Sequence, residues 1–347
     1  MEKMMKAAVM TELGKVEIQQ KEVPKPSEDE VLVKIECVGI CGSDLHYFES
    51  GRIGDFIVEM PFILGHEAAG TVVALGSAVK HLKIGDRVAL EPGKTCGHCK
   101  ACKAGQYNLC DDVVFFATPP VDGVFQEYVA HEENLCFKLP DHVSAMEGAL
   151  IEPLAVGIHA ANQGGAHLGQ TAVVTGAGCI GLVTVLALKA MGVSKVIVVD
   201  VVQKRLDKAL ELGADAVING SETDTVKEIL KLTDGKGQDL GIETAGTQVT
   251  AAQLMKAAKK GATIVFVGYS ATGEMTLPIG TALDKELDMK TVFRYRNIYP
   301  MAIEGVASGK IDIKKIVTNT FTLDQIQEAL DACVKNKTEI VKGVIQM

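Results

Sequence analysis

The sequence has no basic stripe, no leading apolar segment, no internal repeat and no low-complexity tract. Each absence removes a class of function. Its 44 acidic residues outnumber 35 basic ones, giving a net charge of −9 with the two signs interspersed. Such a chain lacks the electrostatic footprint for neutralising a phosphate backbone, so nucleic acid is not an expected partner. Met1-Glu2-Lys3-Met4-Met5-Lys6 has neither an apolar h-region nor a cleavage site, so no secretory signal is expected. Leu168 to Leu188 carries no formal charge and is long enough to cross a bilayer. However, Gly176, Gly178 and Gly181 interrupt it, and its first part is β-branched. It divides more naturally into a buried strand, a tight turn and a buried helix, and no membrane span is expected.

What is present is enough apolar sequence, 47% of 347 residues, for about two domains with cores of their own. Up to about residue 150 the chain holds short β-type runs, Val31–Cys37, Gly70–Leu75 and Asp86–Leu90, separated by Gly, Pro and charged turns. An antiparallel, barrel-like domain is expected there. Beyond about residue 154, strands at 172–175, 196–200, 216–218, 240–243 and 263–267 alternate with helices at 179–191, 203–212, 226–232 and 249–258. That rhythm predicts a doubly wound parallel sheet buried on both faces. After about residue 294 come helical pieces and a late strand at 342–345, expected to return and complete the first domain. The expected division is therefore 1–153 with 294–347, and 154–293.

Gly176-Ala-Gly178-Cys-Ile-Gly181 follows a strand and opens a helix, as the G-x-G-x-x-G dinucleotide fingerprint requires. The first glycine permits the turn, the second admits a pyrophosphate to the backbone, and the third brings helix against sheet. Free N–H groups at the helix start then bind phosphate. Asp200 closes the next strand, where a carboxylate accepts from ribose hydroxyls and repels a 2′-phosphate. NAD is therefore expected over NADP. Arg205 in the following helix tempers that preference, as either an adenine-side contact or an exposed helix arginine.

Nine cysteines without an export signal argue against a disulfide framework and for a reducing, cytoplasmic compartment. Cys96-x2-Cys99-x2-Cys102-x7-Cys110 places four thiolates on a short lobe, suited to a tetrahedral structural zinc with no position left for substrate. Iron–sulfur clusters use other spacings. His98 lies inside the motif, but four cysteines suffice. A looser constellation joins Gly39-Ile-Cys41-Gly-Ser43-Asp-Leu-His46 to Gly65-His66-Glu67, with Glu152 as a further acid beside a proline. Three protein ligands and one open position are what a catalytic zinc needs. The same spacing also fits a packing cysteine and a satisfied core histidine. Cys37, Cys136, Cys179 and Cys333 have no partner at ligand spacing and are assigned to packing.

Together, Gly39–His46, Gly65-His-Glu-Ala-Ala-Gly70 and the four-cysteine lobe resemble the zinc-containing medium-chain dehydrogenase/reductase family. Tyr47–Phe56, Phe116–Gly123, Ala149–His159 and Val292–Tyr295 resemble its sorbitol (polyol) dehydrogenase branch, and the likeness runs from about Val31 to Val344. This resemblance implies a GroES-like β-rich catalytic domain plus a Rossmann coenzyme domain, NAD, one catalytic and one structural zinc, and a dimer or tetramer. Cys41, His66 and Glu67 match residues around the catalytic zinc; Glu152 matches one that is an alternate ligand or acts through water. Tyr47, Arg294 and Tyr295 match substrate-pocket residues. Ile180, Asp200, Arg205, Val267, Gly268, Tyr269, Phe293 and Arg294 match nucleotide contacts. Ser43 and His46 match a proton relay, with Glu152 as the other route.

Many alcohol dehydrogenases of the wider family carry cysteine near position 152. Glutamate there makes a harder, more polar site suited to a hydroxyl-rich substrate. Some animal sorbitol dehydrogenases lack the four-cysteine lobe, so its presence resembles microbial polyol dehydrogenases. The expected activity is hydride transfer from a secondary hydroxyl of a sorbitol- or xylitol-like polyol to NAD+. The rivals are enzymes acting on 2,3-butanediol, threonine or simple secondary alcohols, and, outside enzymes, an NAD-binding redox sensor. No motif supplies the carboxylate and ammonium recognition that threonine needs. A sensor has no need of Cys41, His66 and Glu67 together.

Overall fold

The computed structural model describes residues 3–270 and 272–347. The chain divides into two compact units, Met1–Glu152 with Tyr299–Ser308 and Val317–Met347, and Pro153–Ile298 with Gly309–Ile316.

The first unit is built on the strand Glu30–Gly39, where Val31, Val33, Ile35 and Val38 are buried. Such β-branched side chains suit a pleated, packed surface. One edge of this strand pairs antiparallel with Glu67–Leu75; Tyr128–Glu132 and Gly343–Gln346 share the other. Beyond Glu67–Leu75 lie Arg87–Leu90 and then Cys136–Lys138. Asn319–Thr322 joins Gly343–Gln346 in parallel, completing a seven-stranded sheet. The late strand expected at 342–345 thus lies at Gly343–Gln346, with Lys342 just outside it. A three-stranded sheet of Met4–Glu12, Lys15–Glu22 and Phe62–Ile63 contributes to the same apolar core, which includes Val9, Ile35, Phe48 and Leu90.

The second unit contains a six-stranded, fully parallel sheet. Its strands run in space as Ala216–Asn219, Lys195–Asp200, Thr171–Thr175, Gln238–Glu243, Ala258–Phe266 and Asp288–Thr291. That is third, second, first, fourth, fifth, sixth, the Rossmann order, whose reversal beside the first strand opens a ligand crevice. Ala258–Phe266 starts earlier than the expected 263 because Ala258 pairs with Gln238 ahead of a bulge. Asp288–Thr291 has no counterpart in the sequence reading. It is a mostly exposed edge strand of sequence DMKT and carries no apolar alternation.

The uncharged stretch 168–188 is resolved as the strand Thr171–Thr175, a glycine turn and part of the helix Cys179–Ala190. Among the described residues no helix is long and apolar enough to cross a membrane. Gly176 takes φ 89°, which strains any residue with a Cβ. A Cβ on Gly181 would stand 1.8 Å from the Gly176 carbonyl oxygen, so only glycine lets the helix pack this close.

Candidate active site

Cys41 follows the Glu30–Gly39 strand and is the N-cap of the helix Gly42–Ser50. Its extended backbone (φ −98°, ψ 156°) turns the chain from strand into helix. Asp44, on the first turn, is fully buried and accepts hydrogen bonds from the N–H groups of Cys41 and Gly65, both at 2.9 Å. One carboxylate therefore ties together the two loops that carry Cys41 and His66. Its Oδ1 also lies 3.6 Å from His66 Nδ1, close enough to orient the ring by charge.

Gly65 leads directly into His66 and Glu67, the latter opening the strand Glu67–Leu75 opposite Gly39. The Glu67 carboxylate fits only because residue 39 is glycine: a Cβ there would stand 1.9 Å from Glu67 Oε2. The ligand atoms of Cys41, His66 and Glu67 all lie within 4.8 Å of one another. Burial opposes a charge on His66, yet the Cys41 sulfur and the Asp44 carboxylate outweigh it and push the imidazole pKa well above its ordinary value. A buried pocket that would protonate an imidazole is one that attracts a cation. Together with a sulfur, nitrogen and oxygen donor set, this fits zinc.

Lys342 has no counterpart among the site residues expected from sequence. Its ammonium group is buried and donates to Glu67 Oε1 at 2.8 Å, Glu67 Oε2 at 2.7 Å and the Ile40 carbonyl at 2.9 Å. Glu152 is buried on the first turn of the helix Ile151–Gln163 and lies outside the three-ligand cluster. Burial pushes the neighbouring Glu91 carboxyl up to about 7; the Tyr107 hydroxyl, 2.7 Å away, pulls against this and the Glu152 charge adds to it. Ser43 is half-buried and His46 is exposed on the same helix, while Tyr47 packs into the core of the first unit.

The four-cysteine lobe gathers Cys96, Cys99, Cys102 and Cys110, again with all sulfurs within 4.8 Å. Cys110 Sγ is 3.5 Å and Cys102 Sγ 3.9 Å from Cys96 Sγ. Tetrahedral zinc with Zn–S bonds of about 2.3 Å requires sulfur separations of about 3.8 Å. The N–H groups of Cys99 and Cys102 point at the sulfurs of Cys96 and Cys99. The backbone at His98 and Cys99 pulls the Cys96 thiol down to about 6, favouring the thiolate that binds metal. His98 is exposed and its Nδ1 bonds back to the Cys96 carbonyl, away from the sulfurs. Elsewhere, burial pushes the thiols of Cys37 and Cys333 up to about 11 and that of Cys136 higher still, as inert packing residues require.

In the second unit a cavity of about 480 Å³ opens at the strand-order reversal, lined by Gly176, Gly178, Asp200, Arg205, Thr244 and Thr250 among others. Asp200 Oδ2 accepts from Ala177 N–H at 2.6 Å, and Oδ1 from the N–H groups of Val201 and Val202 at 2.8 and 2.9 Å. Oδ2, with a single donor, keeps a further lone pair for a ribose hydroxyl. A Cβ on Gly178 would meet nothing within 4 Å, leaving open space at the helix start where a pyrophosphate belongs. Glu243, unforeseen from sequence, is a buried carboxylate that accepts from Ala245, Gly246 and Thr250 and fixes the loop after the fourth strand. Ile180, Val267 and Gly268 are half-buried, whereas Tyr269 and Phe293 are exposed. Arg294 has φ 55° and lies 4.9 Å over the Phe293 ring, and Tyr295 is buried.

The two ligand clusters and the dinucleotide crevice together define a zinc-binding dehydrogenase, and the comparisons with known proteins agree. Residues 27–141 match the alcohol dehydrogenase GroES-like domain and residues 179–308 the zinc-binding dehydrogenase family. The sorbitol dehydrogenase of Bacillus subtilis is 45% identical over 98% of this chain and 97% of its own. That of Bos taurus is 46% identical over 93% and 91%. A crystal structure from Escherichia coli, an oxidoreductase/dehydrogenase of unknown specificity involved in membrane biogenesis, superposes with a TM-score of 0.95 at 44% identity, covering 99% of both chains. The chain belongs to the zinc-containing medium-chain dehydrogenase/reductase family, in its sorbitol (polyol) dehydrogenase branch.

Proposed function

We propose that this protein is an NAD-dependent zinc polyol dehydrogenase. It converts a secondary hydroxyl of a sorbitol- or xylitol-like polyol to a ketone, passing the hydride to NAD+ and releasing one proton. The carrying observation is the convergence of half-buried Cys41 with buried His66 and Glu67, their ligand atoms within 4.8 Å, braced by Asp44. We assign Cys41 and His66 as ligands of a catalytic zinc, with Glu67 and Glu152 as the acids that complete its surroundings. When bound, zinc supplies Lewis-acid polarisation of the hydroxyl. The chain's own groups do the rest.

Asp44 holds the Cys41 and Gly65 loops in register. Glu152, buried beside Pro153, is the carboxylate assigned to hold the departing proton at an Oε atom. The half-buried Ser43 and exposed His46 offer a second route to solvent. Tyr47, Arg294 and Tyr295 are assigned to the polyol, the guanidinium providing a fork of donors to adjacent hydroxyls. The first unit is assigned to catalysis and the second to coenzyme. A reducing cytoplasm suits the four lobe thiols, and assembly with further copies of the chain suits the family.

The deciding experiment compares kcat/KM for sorbitol, xylitol, 2,3-butanediol, threonine and 2-propanol with NAD+. A polyol should lead by at least about tenfold, or ~1.4 kcal/mol in transition-state binding. Leadership by butanediol or threonine would reassign the substrate. NADH binding without turnover of any of them would favour a sensor.

Coenzyme choice gives a second test. Asp200→Ser removes the anion that faces a 2′-phosphate and loosens the Ala177 turn. The NAD+ over NADP+ preference in kcat/KM should fall by about tenfold or more. An unchanged ratio would place the discrimination elsewhere.

A further inference from the structure

Glu243 closes the fourth strand of the parallel sheet, and its fully buried carboxylate is engaged by the segment that follows it. Oε1 accepts from the N–H groups of Ala245 and Gly246, at 2.9 and 3.0 Å, and from the Thr250 hydroxyl at 2.8 Å; Oε2 accepts from Gly246 N–H at 3.0 Å. Burial pushes the carboxyl pKa up while these donors pull it down, and none of them is a cation. The segment so held is a wall of the dinucleotide crevice. Thr244, Ala245, Thr247 and Thr250 line the same cavity as Gly178 and Asp200, across the first strand from Asp200. At its near end the Thr244 hydroxyl lies 2.8 and 3.1 Å from the carbonyls of Thr175 and Gly176, which ties the wall to the glycine turn. Behind it, a Cβ on Gly246 would stand 2.4 Å from the Tyr269 carbonyl oxygen, so the loop after the fifth strand packs directly against it.

We infer that Glu243 is a positioning residue for the coenzyme: by clamping residues 244–250 it fixes the wall against which the adenosine diphosphate half of a dinucleotide rests, and so sets dinucleotide affinity. The inference rests on the coenzyme reading of this crevice. An apolar side chain could fill the same space without the cost of burying an anion. What it could not do is gather two N–H groups and a hydroxyl on one oxygen, and that convergence holds the start of the helix Gln248–Ala257 to the loop before it. Released, the loop samples other positions, and the apparent dissociation constant rises in inverse proportion to the fraction that stays competent.

The test measures Kd for NADH by its fluorescence, and for ADP-ribose by competition, on the full-length zinc-loaded protein without polyol. Glu243→Leu removes every acceptor of the clamp and should raise both constants by about tenfold, as when one loop in ten is competent. KM for NAD+ should rise with them, by more than kcat falls. Glu243→Gln keeps the oxygen on which the three donors converge and should stay within about twofold of wild type. Should Glu243→Leu fail to fold, Thr250→Val, which removes one donor, should raise both constants about threefold, with Thr250→Ser, which keeps the hydroxyl, close to wild type. Wild-type constants in folded Glu243→Leu or in Thr250→Val, even at a lower melting temperature, would leave Glu243 a structural residue and overturn the inference. An equal loss in Glu243→Gln and Glu243→Leu would also overturn it, by placing the effect in the charge. Unmutated protein that binds NADH but turns over no polyol would sink the substrate assignment and leave this role standing, whereas failure to bind NADH would remove both.

Discussion

Cys41→Ser should lower polyol turnover with NAD+ by about a thousandfold, equivalent to ~4 kcal/mol of lost transition-state stabilisation. Bound zinc should fall from about two ions per chain to about one. A thiolate is a strong, soft ligand at neutral pH, whereas a serine hydroxyl stays protonated and donates weakly. The substitution is otherwise small. Cys41 is the N-cap of its helix, a position serine favours, and its N–H bond to Asp44 is made by the backbone. Folding should therefore survive, and a loss of activity can be read as a loss of metal. Metal analysis beside kcat/KM checks this. Full zinc with full turnover in the variant would remove Cys41 from the ligand set.

Cys110→Ser should produce the second large effect, and it should be local. The lobe from Cys96 to Cys110 contains only the short helix Lys100–Lys103 and the turn Tyr107–Leu109. Within it, Asn108 and Cys110 are the buried residues, so it has almost no apolar core. Four sulfurs and their metal do the work that packing does elsewhere, and metal binding is then folding free energy. Loss of one ligand should raise proteolytic cleavage between residues 96 and 110 by about a hundredfold, ~2.7 kcal/mol of local stability. Coenzyme binding by the second unit should persist. A lobe that resists protease without its zinc would contradict a metal-built core.

What could be read from the sequence follows the range of the interactions involved. The glycine turn, Asp200 and the four cysteines were legible because their partners lie within one supersecondary unit. The boundaries of the βαβ elements came within a residue or two except where a bulge extended Ala258–Phe266. Asp288–Thr291 was hidden because an exposed edge strand need not alternate apolar and polar residues. Cys41, His66 and Glu67 were named only weakly by spacing, and family resemblance strengthened them. Asp44 does carry a local signal, an acid at the third helical position after Cys41, as in a capping box. Lys342 had none. Its partner lies 275 residues away in the chain, and nothing in the local sequence marks that lysine as buried.

The parallel pairing of Asn319–Thr322 with Gly343–Gln346, against Glu30–Gly39, also sets an order of events during synthesis. The second unit is encoded mainly by the contiguous stretch Pro153–Ile298 and can gather its core as that stretch emerges. The first unit must wait. Its middle strand stands with half an edge bare, and Glu67 without a countercharge, until residues beyond 340 leave the ribosome. A nascent chain stalled before that point would hold a nearly finished nucleotide fold beside an open, charge-frustrated sheet, which is the species a chaperone would be expected to find.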